Sequence, residues 1–380
     1  MVERILVIGQ RPPPVHGSTV MAERFVDASI QNGFNTEIVQ KTFSRELEEV
    51  GKVSLSKIAK VPGFFRRVAD AVSCSRPTLC IYFITVGLPS LLVDCMAIRI
   101  LRRRQIPYVL YFHGKGYRRY EERRYSTVSR IIRNALGHAS GGLVLGECLK
   151  HDVDHCISND RLYVLPNGIP DVEAYKRVCR RGNKEPIKVI FLANLIPSKG
   201  PMTFIAMARK ILESEEWVRF VLAGRPASSE YFRQIQAFIE SSGLENRVEL
   251  PGPLYGEAKE RLFGEADIFV LPTEKDVFPL VNLEAMQWSL PVVSSPIGAI
   301  PEIVRDGVDG FIVDPKNVDL LARRVVELVR NSELRRGMGH SARTRYEAQY
   351  SLTAYARNLK RAMDRFLLPE ATKGYPVGRG

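Results

Sequence analysis

The sequence predicts an α/β protein built from two doubly wound, Rossmann-like parallel sheets. Short apolar strands alternate with helical stretches along most of the chain, a pattern typical of parallel sheets covered on both faces. The length of 380 residues exceeds one ordinary core and favours two domains. A charged stretch at 171–186 without apolar periodicity divides the alternation into two series, and we interpret it as a linker.

The first series predicts an N-terminal domain at 1–170. A helix is expected at 20–32, and the apolar runs indicate strands at 4–8, 36–39, 79–85, 108–112, 142–145 and 162–165. Residues 79–98 contain a single charge, Asp94, and approach the length of a membrane-spanning helix. Because Gly87 and Pro89 divide this segment, we favour a strand followed by a helix that begins at Ser90.

The second series predicts a C-terminal domain at 187–350, followed by a crossover helix and tail at 351–380. The predicted strands are 187–193, 220–223, 248–250, 267–271 and 292–294. The predicted helices are 201–212, 229–241, 256–265, 279–287, one starting at 301, and then 318–330, 333–350 and 351–367. In such sheets, ligands bind outside the carboxyl ends of the strands, which predicts a site in a cleft between the domains.

Composition limits the partners and the compartment. The net charge is +13, and residues 1–170 hold 24 Lys and Arg against 15 Asp and Glu, whereas the remainder holds 31 against 27. The first half is therefore expected to meet something anionic. Six cysteines without a CxxC pair and no signal peptide favour a reducing, cytoplasmic location.

The strongest chemical motif lies at 272–293. Asp276 and Glu284 flank the start of a predicted helix at Pro279, directly after a strand. A carboxylate there can accept hydroxyls of a sugar or ribose, and the helix start offers amides to a phosphate. The alternative is that Glu284 only caps the helix or pairs with a neighbour.

Two further loops follow predicted strands. Lys199, in the loop 194–200, can neutralise a diphosphate, although a single loop lysine is often merely solvated. Gly17 and Ser18 begin the first helix and allow a close approach of an anion or a sugar. The chain has neither a GxGxxG at this loop nor a GxxxxGK[ST] phosphate loop, so a dinucleotide cofactor and nucleotide hydrolysis of that type are not supported.

Together these motifs resemble the retaining glycosyltransferases of family 4, which have the two-domain GT-B architecture. The resemblance covers nearly the whole chain and rests on 12–17, His113, 165–169, 194–200, 276–284 and 298–315. It implies that the two domains face a cleft and that the C-terminal helices cross back to the first domain. It also implies a nucleotide diphosphate sugar donor, UDP- or GDP-linked, with no metal and no other cofactor.

The resemblance assigns roles to individual residues. Lys199 is expected to stabilise the leaving diphosphate, Glu284 to bind the ribose and Asp276 to orient the transferred sugar. His113 and Ser18 are placed on the acceptor side. The remaining predicted donor contacts are Gly17, Asn194, Arg225, Phe278, Leu280 and Val281.

Three positions depart from the family pattern. Asn194 stands where arginine is usual, and Arg225 is a candidate for the missing charge. Asp276 is one methylene shorter than the usual glutamate. Pro279 replaces a common glycine and removes one backbone donor from the helix start.

Two other features have structural as well as functional interpretations. HDVDHC at 151–156 places two histidines four residues apart on a predicted helix, and we do not favour a metal there. Basic clusters occur around Arg99, at 115–124 and at 57–67. They indicate either a solvated surface or a peripheral contact with an anionic membrane, such as the inner face of the plasma membrane. No nucleic-acid module accompanies them.

The sequence thus predicts a metal-independent hexosyltransferase that acts with retention on a glycan or a polyprenyl-diphosphate-linked acceptor. The alternatives are a catalytically silent sugar-nucleotide sensor or scaffold and a sugar-nucleotide epimerase of the same architecture. Because Asn194 and Asp276 depart from the family pattern, a protein that binds a sugar nucleotide without catalysis remains an alternative.

Overall fold

The computed structural model describes residues 3–13, 17–41, 55–122, 126–172 and 186–368. The chain divides into two compact units, of which the first comprises 1–167 and 352–380 and the second comprises 168–351. Most of the predicted linker, 173–185, lies outside the described residues.

The first unit contains a six-stranded parallel sheet in the order β2-β1-β3-β4-β5-β6. The strands are β1 (Arg4–Gly9), β2 (Asn35–Gln40), β3 (Leu79–Ile84), β4 (Tyr108–Phe112), β5 (Gly141–Val144) and β6 (Leu162–Val164). The helices are α1 (Gly17–Gln31), α2 (Leu55–Ser75), α3 (Leu88–Arg103), α4 (Arg119–Glu122) and α5 (Thr127–Gly137). β3 and β4 are buried at every position, as expected for central strands covered on both faces.

The second unit contains another six-stranded parallel sheet, in the order β12-β11-β10-β7-β8-β9. The strands are β7 (Ile187–Leu192), β8 (Val218–Ala223), β9 (Val248–Gly252), β10 (Ile268–Leu271), β11 (Val292–Ser294) and β12 (Gly310–Ile312). The helices are α6 (Pro201–Leu212), α7 (Ser229–Ser241), α8 (Gly256–Glu265), α9 (Leu280–Gln287), α10 (Ile300–Ile303), α11 (Val318–Arg330) and α12 (Ser332–Arg345). The predicted α/β class with two parallel sheets is confirmed.

Some predicted boundaries are wrong. The helix expected from 301 is the single turn α10, and the helix expected over 333–350 ends at Arg345 and continues as a π-helical turn, Tyr346–Tyr350. The last helix, α13 (Leu352–Leu367), belongs to the first unit and packs against α1. Within that unit, Asn32 donates a side-chain hydrogen bond to the carbonyl of Ala356 at 2.8 Å.

The apolar segment 79–98 forms β3 and most of α3, as the sequence predicted. Within the described ranges, no helix combines the length and the apolar character that crossing a bilayer requires.

A buried ion pair lies at the carboxyl end of β3 in the first unit. Nζ of Lys41 donates to Oδ1 of Asp94 at 2.8 Å, and both side chains are buried. Asp94 also accepts from the Tyr82 hydroxyl at 2.8 Å and from the backbone and hydroxyl of Thr85. These hydrogen bonds satisfy the charge that the apolar surroundings would otherwise disfavour, and they fix the turn after β3.

Candidate active site in the second unit

Lys199 lies at the carboxyl end of β7. It ends a single 3₁₀ turn, Pro197–Lys199, and the next residue, Gly200, adopts φ +77° before α6 begins. A Cβ at residue 200 would lie 2.1 Å from the carbonyl oxygen of Pro272. Glycine is therefore required here, because the loop after β7 approaches the loop after β10 backbone to backbone.

Hydrogen bonds join these two loops. The carbonyl of Ser198 accepts from the backbone of Glu274 at 2.9 Å and from the Thr273 hydroxyl at 2.9 Å. β7 and β10 are neighbours in the sheet although about 80 residues separate them in the chain. The sheet order thus places Lys199 beside the acidic loop.

Asp276 forms an ion pair with Lys199 in this structure. Its other carboxylate oxygen accepts from the backbone of Val277 at 2.8 Å. The side chains of Lys199 and Asp276 are 22% and 14% exposed, so the pair is reachable at the surface of the unit. The structure therefore brings together the predicted phosphate-binding lysine and the predicted sugar-orienting carboxylate, and each neutralises the other.

The loop that carries Asp276 is also held from its other side. Gly298 adopts φ +57°, and a Cβ there would lie 2.5 Å from the carbonyl oxygen of Asp276. The backbone of Ala299 donates to the carbonyl of Val277 at 2.8 Å. Gly298 and Ala299, which begin the segment 298–315, thus support this loop directly.

α9 begins at Leu280, one residue later than predicted, because Pro279 is the extended N-cap with φ −70° and ψ 113°. Leu280 and Val281 in the first turn are half-buried. Phe278 is buried and packs edge-on against Tyr350, with ring centroids 6.1 Å apart. Its role in this structure is to anchor the loop, whereas Leu280 and Val281 retain accessible surface.

Glu284 lies in the second turn of α9 and pairs with a residue outside the predicted motifs. Nζ of Lys259, on α8, donates to Oε1 of Glu284 at 2.9 Å. The two side chains are 32% and 24% exposed. The sequence placed Lys259 on a helix, but nothing in its spacing indicated that it would meet Glu284, 25 residues away.

Asn194 and Arg225 follow neighbouring strands, β7 and β8. Both are exposed, and the backbone of Leu195 donates to the carbonyl of Arg225 at 2.8 Å. The two loops therefore run side by side. Arg225 lies at the same edge of the sheet as the loop in which Asn194 replaces the usual arginine.

The predicted acceptor-side residues, His113 and Ser18, belong to the first unit, and so does the predicted donor contact Gly17. Gly17 and Ser18 form the start of α1, whereas residues 14–16 of the preceding loop lie outside the described residues. His113 directly follows β4, and its ring stacks on Phe83 with centroids 5.1 Å apart. His113 thus lies at the carboxyl end of β4, and Gly17 and Ser18 open the helix that follows β1, so all three residues lie at the carboxyl edge of the first sheet.

The segment 151–156 has structural partners. Asp152 accepts backbone hydrogen bonds from Gly116 and Tyr117, at 2.7 and 3.1 Å, and Asp154 forms an ion pair with Arg118. The expected α-helix is wrong, because this region is a 3₁₀ helix, Glu147–Asp152, followed by a turn. Among the described residues, no cluster of three or more His, Cys, Asp or Glu side chains is arranged to hold a metal ion.

Comparisons with known proteins relate this chain to glycosyltransferases. Residues 177–345 match the family described as glycosyl transferases, group 1. D-inositol 3-phosphate glycosyltransferase of Corynebacterium efficiens is 28% identical over 233 residues, which are 57% of this chain and 54% of that protein. The GPI3 subunit of phosphatidylinositol N-acetylglucosaminyltransferase from Saccharomyces cerevisiae is 24% identical over 47% of this chain and 40% of its own length. The aligned region thus spans about half the length of such curated relatives.

Solved structures extend the similarity to nearly the whole fold. Sucrose-phosphate synthase from Thermosynechococcus elongatus superposes with a TM-score of 0.74 at 16% identity, covering 96% of this chain and 99% of that one. HepE of Anabaena, solved in complex with UDP, gives 0.72 at 17% identity, covering 95% and 100%. The chain therefore has the GT-B fold, and residues 177–345 are similar to the group 1 glycosyl transferases. Assignment to family 4 stays a prediction.

Proposed function

We propose that this protein transfers a hexose from a nucleoside diphosphate sugar to a hydroxyl of a glycan or lipid-linked acceptor, with retention of configuration. The observation that carries the proposal is the gathering of Lys199, Asp276 and Glu284 on the loops and helix that follow the adjacent strands β7 and β10. The UDP complex of HepE supports a uridine nucleotide as the first donor to test.

Lys199 acts on the leaving group. When the donor enters, its diphosphate competes with Asp276 for the ammonium group, and a charge-assisted contact of this kind is worth about 1.5–3 kcal/mol. Asp276, released from Lys199, can then accept a hydroxyl of the transferred sugar. The ion pair in the present structure thus keeps both groups at the site before the donor arrives.

The chemical step needs no protein nucleophile. The acceptor oxygen attacks the anomeric carbon on the same face of the sugar from which the leaving group departs. The bond between that carbon and the phosphate oxygen breaks, and a phosphate oxygen accepts the proton of the acceptor hydroxyl. The products are the glycosylated acceptor and a nucleoside diphosphate. Lys199 stabilises the negative charge that develops on the departing diphosphate, while Glu284 holds the ribose hydroxyls.

An acceptor carried on an anionic membrane, such as a polyprenyl diphosphate sugar, agrees with the surface of the first unit. α3 contacts both α2 and α5, and each of these three helices carries exposed apolar or basic side chains. The exposed set includes Ile58, Lys60, Arg66, Met96, Arg99, Arg103, Arg130 and Ile131. Each basic residue near an anionic surface contributes about 1 kcal/mol, and the apolar side chains can enter the headgroup region.

Donor turnover tests the central proposal. The purified protein is incubated with a panel of UDP- and GDP-sugars, and release of nucleoside diphosphate and transfer to a model acceptor are measured. Lys199→Met and Glu284→Gln should each lower kcat/KM by about 10- to 100-fold, the equivalent of one charge-assisted contact. Lys188→Met, which removes a lysine at the opposite end of β7, is the control.

Other results would favour the alternatives. Binding of a sugar nucleotide without release of nucleoside diphosphate would indicate the sensor, and interconversion of sugar nucleotides without transfer would indicate the epimerase. Activity of both site variants within about twofold of the Lys188→Met control would show that the proposed donor site is wrong. Vesicle flotation with acidic lipids tests the membrane contact, and absence of binding at low salt would remove it.

A further inference from the structure

α8 contributes a lysine to the carboxylate that we assign to the donor ribose. Lys259 is the fourth residue of α8, and its ammonium group donates to Oε1 of Glu284 on α9 at 2.9 Å. α8 begins after β9, at the carboxyl edge of the sheet, and α9 follows β10 at the same edge. The contact therefore lies at the edge where ligands of such sheets bind.

The ion pair leaves half of the Glu284 carboxylate available. Among the residues that the structure describes, Oε1 of Glu284 accepts from Lys259 and Oε2 accepts no hydrogen bond. In the same part of the chain, Lys259 has no partner other than Glu284. A carboxylate can accept about four hydrogen bonds, so a ribose hydroxyl can bind Oε2 while Lys259 stays on Oε1.

The charge of Lys259 also matters for the donor. A nucleoside diphosphate is strongly anionic, and Asp276 already offsets the charge of Lys199. If Glu284 had no partner, the donor would approach a site with an uncompensated carboxylate. With Lys259 present, the formal charges of the two ion pairs sum to zero. The repulsion between the Glu284 carboxylate and the diphosphate is therefore offset.

We infer that Lys259 is a positioning residue for the donor, which holds Glu284 in the orientation that binds ribose and neutralises it against the diphosphate. The inference rests on the donor site proposed above and names a residue that determines the affinity of that site. The competing explanation is that the pair merely cross-links two helices.

A second lysine–glutamate pair, which links α8 to β7, separates these explanations. Lys188, at the start of β7, donates to Oε2 of Glu265, at the end of α8, at 2.8 Å. Its side chains are 14% and 39% exposed, comparable with the Lys259 pair. Both pairs are partly exposed to solvent, and solvent-screened ion pairs contribute about 0–1 kcal/mol to stability, so Lys259→Met and Lys188→Met should both fold, with similar thermal midpoints.

The experiment measures nucleotide affinity of the full chain by calorimetry. UDP, GDP and ADP are compared first, and the one that binds most tightly is then used with its 2′-deoxy and 3′-deoxy counterparts. The variants are Lys259→Met, Lys259→Arg, Lys188→Met, Glu284→Gln and the double variant Lys259→Met with Glu284→Gln.

We expect Lys259→Met to weaken binding about tenfold, which corresponds to about 1.4 kcal/mol, and to reduce the preference for the ribonucleotide over its deoxy counterparts. Lys259→Arg should restore affinity to within about threefold, and Lys188→Met should leave it within about twofold. Because Lys259 acts through Glu284, the double variant should bind no more weakly than Glu284→Gln alone.

Each of the following results would overturn the inference. Lys259→Met could match Lys188→Met in affinity and in ribose preference, which would make the pair a simple cross-link. The losses could add in the double variant, which would mean that Lys259 contacts the nucleotide independently of Glu284. Finally, if Glu284→Gln itself had no effect, or if none of the three nucleotides bound, the donor site would be wrong together with the inference that rests on it. Weakened binding in Glu284→Gln but not in Lys259→Met would remove the inference alone.

Discussion

Substitution of Gly200 tests the close contact between the loop after β7 and the loop after β10. Substitution by alanine at φ +77° places a residue with a Cβ in the left-handed region, which costs about 1–2 kcal/mol. The new Cβ would also lie 2.1 Å from the carbonyl oxygen of Pro272, so one of the two loop backbones must move. Forced displacement of a packed backbone adds about 1–3 kcal/mol.

Gly307→Ala is the matched control. Gly307 lies in the same unit at φ +73°, and a Cβ there would meet nothing within 4 Å. Both variants carry the left-handed strain and the same loss of unfolded-state entropy, so these contributions cancel in the comparison. The difference of about 1–3 kcal/mol between the two variants isolates the contact with Pro272.

Thermal unfolding and nucleotide binding measure the two consequences. In a unit of this size, 1 kcal/mol corresponds to about 2–4 °C, so Gly200→Ala should unfold roughly 2–12 °C below Gly307→Ala. Gly200→Ala should also weaken UDP binding by about tenfold or more, because the displaced loop carries Lys199, and misplacement of a binding group by about 1 Å is costly. Equal midpoints for the two variants, together with unchanged affinity, would refute the close approach of the loops.

Three further predictions concern Asp94, the cysteine thiols and Asp309. Asp94→Asn should destabilise the first unit by about 3–5 kcal/mol in chemical denaturation, because it leaves Lys41 buried without its counter-charge; a loss below about 1 kcal/mol would contradict the buried ion pair. In iodoacetamide labelling followed by peptide mapping, the exposed thiol of Cys74 should react in the native protein, whereas Cys95 should react only after unfolding, since burial raises the pKa of the Cys95 thiol to about 12. Burial by itself raises the pKa of Asp309, but hydrogen bonds from Arg305 and Ser341 hold that pKa below its usual value. The ionised Asp309 therefore stabilises the folded state above pH about 4, and this contribution is lost as the pH falls through the native pKa. Asp309→Asn should accordingly unfold with a weaker dependence on pH in that acid range, and an unchanged acid profile would contradict this linkage.

Much of the fold could be predicted because buried parallel strands appear in the sequence as apolar runs. The helices at 229–241, 256–265 and 318–330 were predicted at the residues where they occur, since each has a clear amphipathic pattern between turn signals. α2 was missed, because Pro62 and Gly63 interrupt its pattern, and burial of Phe64 and Val68 against the first sheet outweighs those local preferences.

In the candidate site, the sequence likewise predicted the individual residues but not the contacts between them. Lys199, Asp276 and Glu284 could be selected from the sequence, because each follows a predicted strand and has the chemistry that a nucleotide sugar requires. The spacing could not show that Lys199 pairs with Asp276, nor that Lys259 pairs with Glu284.

The sequence by itself determined most of the strands and helices and the loops that carry polar groups. These features are encoded in local patterns of apolar and charged residues. The tertiary structure decided which of those loops meet. β10 lies between β7 and β11 in the sheet, so residues about 77 positions apart form one ion pair at its carboxyl edge. Strand order is set by packing across the whole sheet, and no local pattern in the chain contains it.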